Sequence, residues 1–259
     1  MGLENQLKSL RDFEYDMDLE DYKILGDAGK YYWWFTGKRE LIEMLLSKMA
    51  YNDKIKILDV GCGTGEDIPL YNKFGDIYAM DNSRECLLHV PKKDTTAVIC
   101  NDIQKLCFKE NTFDVVIISE VLEHLENDKS AIEETTRVLK KRGFIIITVP
   151  AIPSIYSHTD RAIRHLRRYS KKRLVGLFNT KTLTTRKIIY WNFLLSFPRI
   201  LLNPIIVKSK FGRWIYRLRE LPKFLNLFLV TILRFENKII DYGINLPIGL
   251  SLIAVLEKK

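Results

Sequence analysis

The chain has 259 residues, enough for one large α/β core or a core with an elaborated lid, and its 47% hydrophobic content excludes global disorder. Its four cysteines (Cys62, Cys86, Cys100, Cys107) form no CxxC pair, so neither a zinc site nor a disulfide framework is indicated, and reduced, buried thiols in a cytosolic protein are expected. The net charge of +9 is unevenly held: sixteen Lys or Arg and no Asp or Glu fall between residues 161 and 219, leaving 25 basic and 32 acidic residues elsewhere. Such a block, interleaved with aromatics, suits an anionic membrane surface, a phosphorylated substrate or nucleic acid.

Residues 1–21 are polar and acidic with no apolar run, so no signal peptide is expected. Residues 1–50 read as an N-terminal helical cap. Leu41, Ile42, Leu45, Leu46 and Met49 recur at helical spacing, on a helix opening at Thr36 or Gly37. Before it stand Tyr31, Tyr32, Trp33, Trp34 and Phe35, either packing anchors or an aromatic flap in which Trp34 would touch a substrate. Lys38 and Arg39 follow, able to meet a carboxylate.

From residue 51 to 191 strands and helices alternate as a parallel sheet requires. The first strand, residues 54–60, runs into Gly61-Cys62-Gly63-Thr64-Gly65 and a helix over residues 66–73. Glycines at alternate positions let a ligand approach the backbone closely. A dinucleotide fingerprint needs its third glycine one place later, where Glu66 stands, and Glu66 with Asp67 would repel a pyrophosphate at the helix start. An adenosine cofactor without phosphate fits better. The second strand, residues 77–81, ends in Asp81, 22 residues after Asp59, a spacing that suits a carboxylate holding ribose hydroxyls. Asn82 follows it. The third strand, residues 97–100, leads to Asp102, able to accept from an adenine amino group, and Ile103, able to pack on the ring. Residues 113–119 read as a strand buried on both faces, breaking into Glu120-Val121-Leu122-Glu123-His124-Leu125. A helix capped by Asp128 or Ser130 is expected to reach Leu139 and close through Lys140, Lys141, Arg142 and a terminal Gly143. The fifth strand is residues 143–150.

Together D-V-G-C-G-T-G, Asp81, N-D-I, F-D-V-V-I-I-S-E-V-L-E-H-L and R-V-L-K-K-R-G-F-I-I-I-T-V-P resemble the class I S-adenosylmethionine-dependent methyltransferases over residues 54–151. The resemblance implies a Rossmann-like, doubly wound α/β sheet of seven strands. It implies S-adenosylmethionine as the cofactor, with Asp59, Gly61, Cys62 and Gly63 beside its methionine part. Asp81 and Asn82 would meet the ribose, Asp102 and Ile103 the adenine, and Ser119 and Glu120 its open side. Y-W-W-F-T-G-K-R-E-L-I and S-H-T-D-R-A-I-R-H-L-R-R-Y-S also resemble a narrower branch that accompanies glycan and lipid pathways, although Tyr32 and Arg164 depart from its pattern. That branch nominates Arg39 for the cofactor, His158, Asp160 and His165 for catalysis, and Arg167, Arg168 and Tyr169 for the substrate.

The loop after the fifth strand is expected to lie beside the first strand, where acceptors sit. A hydroxyl acceptor needs a base, for which His158 or His165 oriented by Asp160 would serve. A carboxylate acceptor needs only a clamp by Arg167 or Arg168, and a purely structural network is the competing account. No metal site is expected, because the histidines lack a partnering carboxylate or thiolate at ligand spacing.

Residues 182–190 and 251–256 read as a final antiparallel pair, which makes residues 192–246 a helical insertion before the last core strand at 247–259. Its runs at 200–207 and 224–235 are too short or too interrupted to span a bilayer, but with their Lys, Arg and Trp edges they suit an interfacial helix or a lid. The expectation is a peripheral enzyme on the cytosolic face of a membrane, O-methylating an amphiphilic or phosphorylated acceptor. The alternatives are a tRNA, rRNA or soluble small-molecule methyltransferase and a non-catalytic partner subunit.

Overall fold

The computed structural model describes residues 31–49, 54–201 and 221–259. The expectations for residues 1–30 and for the basic turn at 208–219 lie outside the described residues.

Seven strands form one sheet: β1 (Ile55–Val60), β2 (Gly75–Asp81), β3 (Ala97–Cys100), β4 (Phe113–Ser119), β5 (Leu139–Pro150), β6 (Leu183–Trp191) and β7 (Ser251–Lys258). Their order is β3-β2-β1-β4-β5-β7-β6. The first five pair in parallel, and β7 runs antiparallel between β5 and β6. The seven-stranded α/β sheet read from the sequence is therefore present. Successive strand residues supply opposite faces. Leu58, Val116, Ile118, Ile145, Ile147, Leu252 and Ala254 belong to one core, while Ile57, Val115, Ile117, Ile146, Ile253 and Val255 belong to the other. Burial on both faces is why these strands are continuously apolar rather than alternating.

Helix α1 (Trp33–Ser47) starts earlier than the sequence suggests and takes in Trp33, Trp34 and Phe35. The reason is a tertiary cap: the Trp33 N–H donates to Asn226 Oδ1 at 2.8 Å. Helices α2 (Ile68–Tyr71) and α3 (Arg84–Leu87) are single turns. Helix α4 (Asp128–Val138) is capped by Asn127, not by Asp128 or Ser130. It ends without a glycine cap, because Leu139 already pairs with Phe113 and residues 140–143 bulge before regular pairing resumes at Val115 and Phe144. Arg142, not Gly143, takes the left-handed conformation, at φ 62°.

Helices α5 (His158–Ala162) and α6 (Lys171–Val175) follow β5. Helices α7 (Ser196–Leu201) and α8 (Lys223–Asp241) separate β6 from β7. Helix α8 docks on α1 and on the sheet through Val230, Leu233, Asn237 and Ile240. Asn237 accepts from the buried Trp191 indole at 2.8 Å and donates to the Gly37 carbonyl at 2.9 Å. Glu236 receives the Phe193 N–H at 3.0 Å. No described helix is long and apolar enough to cross a membrane. Of the four thiols only Cys86 is buried as expected, for Cys62 is half-buried and Cys100 and Cys107 are exposed.

Candidate active site

At the end of β1 the chain turns through Gly61, Gly63 and Gly65 at φ 72°, 55° and 83°. The N–H groups of Gly61 and Cys62 donate to the Met80 carbonyl at 2.7 and 3.0 Å. Gly63 N–H donates to Asp81 Oδ2 at 2.9 Å, and Ser83 N–H to Asp81 Oδ1 at 2.8 Å. Asp81 therefore buttresses the turn, and its remaining lone pairs are available to a ligand. A Cβ on Gly61 would lie 2.3 Å from Val121, whereas one on Gly63 would meet nothing within 4 Å. The turn is closed against the segment after β4 and open at Gly63. That opening is a cradle that a side chain would fill, and it fits the expected adenosyl cofactor. Strands β1, β2 and β3 are neighbours, so Asp59, Asp81 and Asp102 follow one another along the same sheet edge. Asp102 is exposed and accepts from Gln104 N–H at 2.8 Å, while Ile103 beside it is buried. Asn82 receives the Cys100 thiol at its carbonyl, 3.6 Å away.

Asp59 is buried behind the turn, and its carboxyl is pushed up to about 8 by burial, with Asp67 and Asp81 adding repulsion and Lys38 opposing it. Burial likewise pushes the Cys62 thiol far up, so it is neutral. Lys38 is itself buried, 4.5 Å from the Trp34 ring centre. Arg39 binds Asp67 at 2.6 Å at the start of α2, which neutralises one of the two acids there. Trp34 is half-buried, edge-on to Phe35 and 6.2 Å from Trp191, so packing accounts for much of its surface.

After β4, Ser119 Oγ lies 3.1 Å from Thr148 Oγ1, which donates to Glu120 Oε1 at 2.8 Å. Glu120 is held in the left-handed region at φ 56°, a strain typical of functional turns. The turn that follows packs beneath the loop after β5. That loop does not lie beside β1 as expected: β5 has β4 and β7 as neighbours, so the loop meets the β4 turn instead, with Leu166 N–H donating to the Glu123 carbonyl at 2.8 Å.

The loop's polar residues largely hold one another. Asp160 closes the capping box of α5 by accepting from Ser157 N–H at 2.9 Å, and it binds Arg168 at 2.7 Å. Burial raises its proton affinity, but His165, Arg168 and the Ser157 N–H outweigh this and hold the carboxyl below its usual range. Arg168 also donates to the Ala151 carbonyl at 3.2 Å. Arg167 donates to the Leu125 carbonyl at 2.6 Å and to Asp128 at 3.2 Å. Tyr169 is fully buried, its hydroxyl on Asp128 at 2.8 Å. Tyr169 is thus buried away from any substrate, while Arg167 and Arg168 each give some of their five donors to the loop and the β4 turn and keep others for a ligand. Of the two histidines, His165 is the one that approaches Asp160, with Nδ1 at 3.5 Å, while His158 opens α5 half-buried.

The structure also brings to His165 two residues for which the sequence offered no role, Glu123 and His124. His165 Nε2 lies 3.6 Å from Glu123 Oε1, and His124 stands edge-on to His165 at 4.8 Å between ring centres. His124, exposed at its edge but walled by protein, is pushed down to about 4 by desolvation and by His165. Glu123 has no exposed surface, and burial, then Glu120, drives its carboxyl well up. The available signal was the charged run after an apolar strand, E-x-x-E-H, where a fully solvated turn would need no such pairing.

Residues 58–147 match the family model described as a methyltransferase domain. The chain is 33% identical over 172 residues to an uncharacterized protein of Methanocaldococcus jannaschii, covering 66% of this chain and 72% of that one. It is 32% identical over 108 residues to the ubiquinone biosynthesis O-methyltransferase of Rickettsia typhi, covering 39% of this chain and only 44% of that one. The fold is similar to that of the plantazolicin methyltransferase solved in complex with SAH, with a TM-score of 0.59 at 19% identity over 99% of this chain and 98% of that one. Together with the glycine turn and its aspartates, these matches place the chain in the class I S-adenosylmethionine-dependent methyltransferases, and its cofactor is S-adenosylmethionine.

Proposed function

We propose that the protein transfers a methyl group to an oxygen of an amphiphilic or phosphorylated acceptor while resting on an anionic membrane surface. The bound cofactor supplies an electrophilic methyl, and the protein must bring an acceptor oxygen in line with it, within about 3–3.5 Å. The grouping of Glu123, His124 and His165 on the segment whose Val121 closes the glycine turn supports a role for them in handling that oxygen's proton.

The observation that carries the membrane part is the outer face of α8. Phe224, Leu227, Phe228 and Phe235 are 76%, 61%, 60% and 59% exposed, and Tyr242, just past the helix, is 85% exposed. At 100° per residue they fall within one narrow stripe, opposite the docked Val230, Leu233 and Ile240. An aromatic and aliphatic stripe next to a chain region rich in Lys and Arg has the composition of a helix lying in the headgroup layer. Relatives named ubiquinone biosynthesis O-methyltransferase and demethylmenaquinone methyltransferase lend support, since quinones are amphiphilic molecules. The competing reading, a soluble small-molecule acceptor, is favoured by the relative named malonyl-[acyl-carrier protein] O-methyltransferase.

Sedimentation with vesicles decides between them. Pelleting with anionic but not neutral vesicles is expected, and Phe224→Glu with Phe228→Glu should abolish it while calorimetric cofactor binding is unchanged. No pelleting of a cofactor-binding preparation sinks the membrane reading. Steep loss of binding to RNA on raising salt would instead favour a nucleic-acid acceptor.

A further inference from the structure

We propose that Glu123, His124 and His165, with Glu120 beside them, bind a divalent transition-metal cation at the C-terminal edge of the sheet. One ligand atom from each of Glu123, His124 and His165 lies within 4.8 Å of the others. Two ligands each about 2.0–2.2 Å from one metal stand about 3.0–3.5 Å apart, close to the separation of His165 Nε2 and Glu123 Oε1, 3.6 Å.

Burial makes this cluster more than a chance grouping. Among the described residues both Glu123 oxygens are buried without a hydrogen-bond partner, on a side chain that is 0% exposed. Buried polar groups are almost always paired, and an unpaired charged one is the costliest, so a fold that keeps them needs a compensating partner. A cation supplies that partner for both carboxylate oxygens at once.

The surroundings have the form of a supported site. Asp160 lies 3.5 Å from the far nitrogen of His165 and is itself fixed by Arg168 and Ser157 N–H, so it would orient the imidazole as metal-bound histidines require. Glu120 opens the same turn, and Thr148 Oγ1 fixes its carboxyl by donating to Oε1 at 2.8 Å. Carboxylates mixed with imidazoles suit manganese, iron, cobalt or zinc better than calcium. Three such ligands leave coordination positions free. If the acceptor is a hydroxyl, as proposed above, the metal would hold it there and lower its pKa, so that its proton passes to solvent as the oxygen bonds the methyl carbon and the sulfonium S–CH3 bond breaks.

Cobalt(II) titration of the metal-stripped full-length protein tests the site without any turnover, so its outcome is independent of the acceptor. Expected is one equivalent bound, with visible d–d absorption, no thiolate charge-transfer band, and displacement by zinc. Glu123→Gln and His124→Ala should each weaken uptake at least tenfold while S-adenosylmethionine binding, read by calorimetry, stays within twofold. Should Glu123→Gln fail to bind cofactor, the partly exposed His124→Ala decides alone. Absence of saturable uptake, uptake unchanged in the variants, or a thiolate band assigning the cobalt to cysteine would each overturn the proposal.

Discussion

At the scale of single residues, the two glycines of the turn make opposite demands. Gly61 is shut against Val121, so Gly61→Ala must displace the β4 turn as well as strain a φ of 72°. Gly63 faces open space, so Gly63→Ala costs the fold only about 1 kcal/mol for its positive φ. The prediction is that Gly63→Ala unfolds within a few degrees of the parent yet loses cofactor affinity at least tenfold, as thermal unfolding and calorimetry would read. An affinity within twofold of the parent would mean that the cofactor does not occupy that opening. Asp59 adds a second expectation. Its folded value is raised, to about 8, so the native chain keeps a proton that the unfolded chain releases above about 4. Native stability without cofactor should therefore fall as pH rises from about 4 to about 8 and then level off. A cationic cofactor beside Asp59 reverses the preference, so binding at pH 7 should release protons, detected as a dependence of calorimetric heat on buffer ionisation enthalpy. Asp59→Asn should remove both effects.

At the scale of elements, the close crossing of α1 and α8 rests on Gly37. A Cβ there would lie 2.5 Å from Leu233 Cδ1 and 2.8 Å from Leu233 Cβ. Alanine gains about 1 kcal/mol of helix propensity, but overpacking at a backbone-proximal carbon costs about 1–3 kcal/mol. Gly37→Ala is therefore expected to destabilise by about 1 kcal/mol in denaturant unfolding, and Leu233→Ala in the same chain should relieve the clash, giving a non-additive cycle. Additive effects would mean that the helices do not cross at Gly37. The same crossing explains why α1 begins at Trp33: its first free N–H finds Asn226 across 193 positions of sequence, a partner that no local pattern reveals.

At the scale of the whole molecule, α8 is both a structural layer and an exposed surface. Val230, Leu233 and Ile240 bury side chains worth about 1.5–3 kcal/mol each, comparable in sum to the about 5–15 kcal/mol by which domains are stable. Deleting residues 192–246 is therefore expected to unfold the core, seen as loss of the cooperative thermal transition. Point changes on the outer stripe should leave that transition within a few degrees. A deletion variant that melts normally would show that α8 is an appendage.

What the sequence determined by itself was the sheet and its cofactor edge. The strands are buried on both faces, so each is a short apolar run bounded by turns, and the glycine turn and Asp81 sit at strand ends where local pattern and chemistry coincide. The loop after β5 was different. Arg167, Arg168 and Tyr169 carry the residue types of a substrate clamp, and only the packing of that loop on the β4 turn shows donors of theirs engaged by Asp128, Asp160 and backbone carbonyls. By the same packing His165 reaches Glu123 and His124, some 40 positions earlier in the chain. Spacing along a sequence reports neighbours within one strand or helix. Which loops meet is decided by the order of the strands that carry them, and that order is a property of the folded sheet.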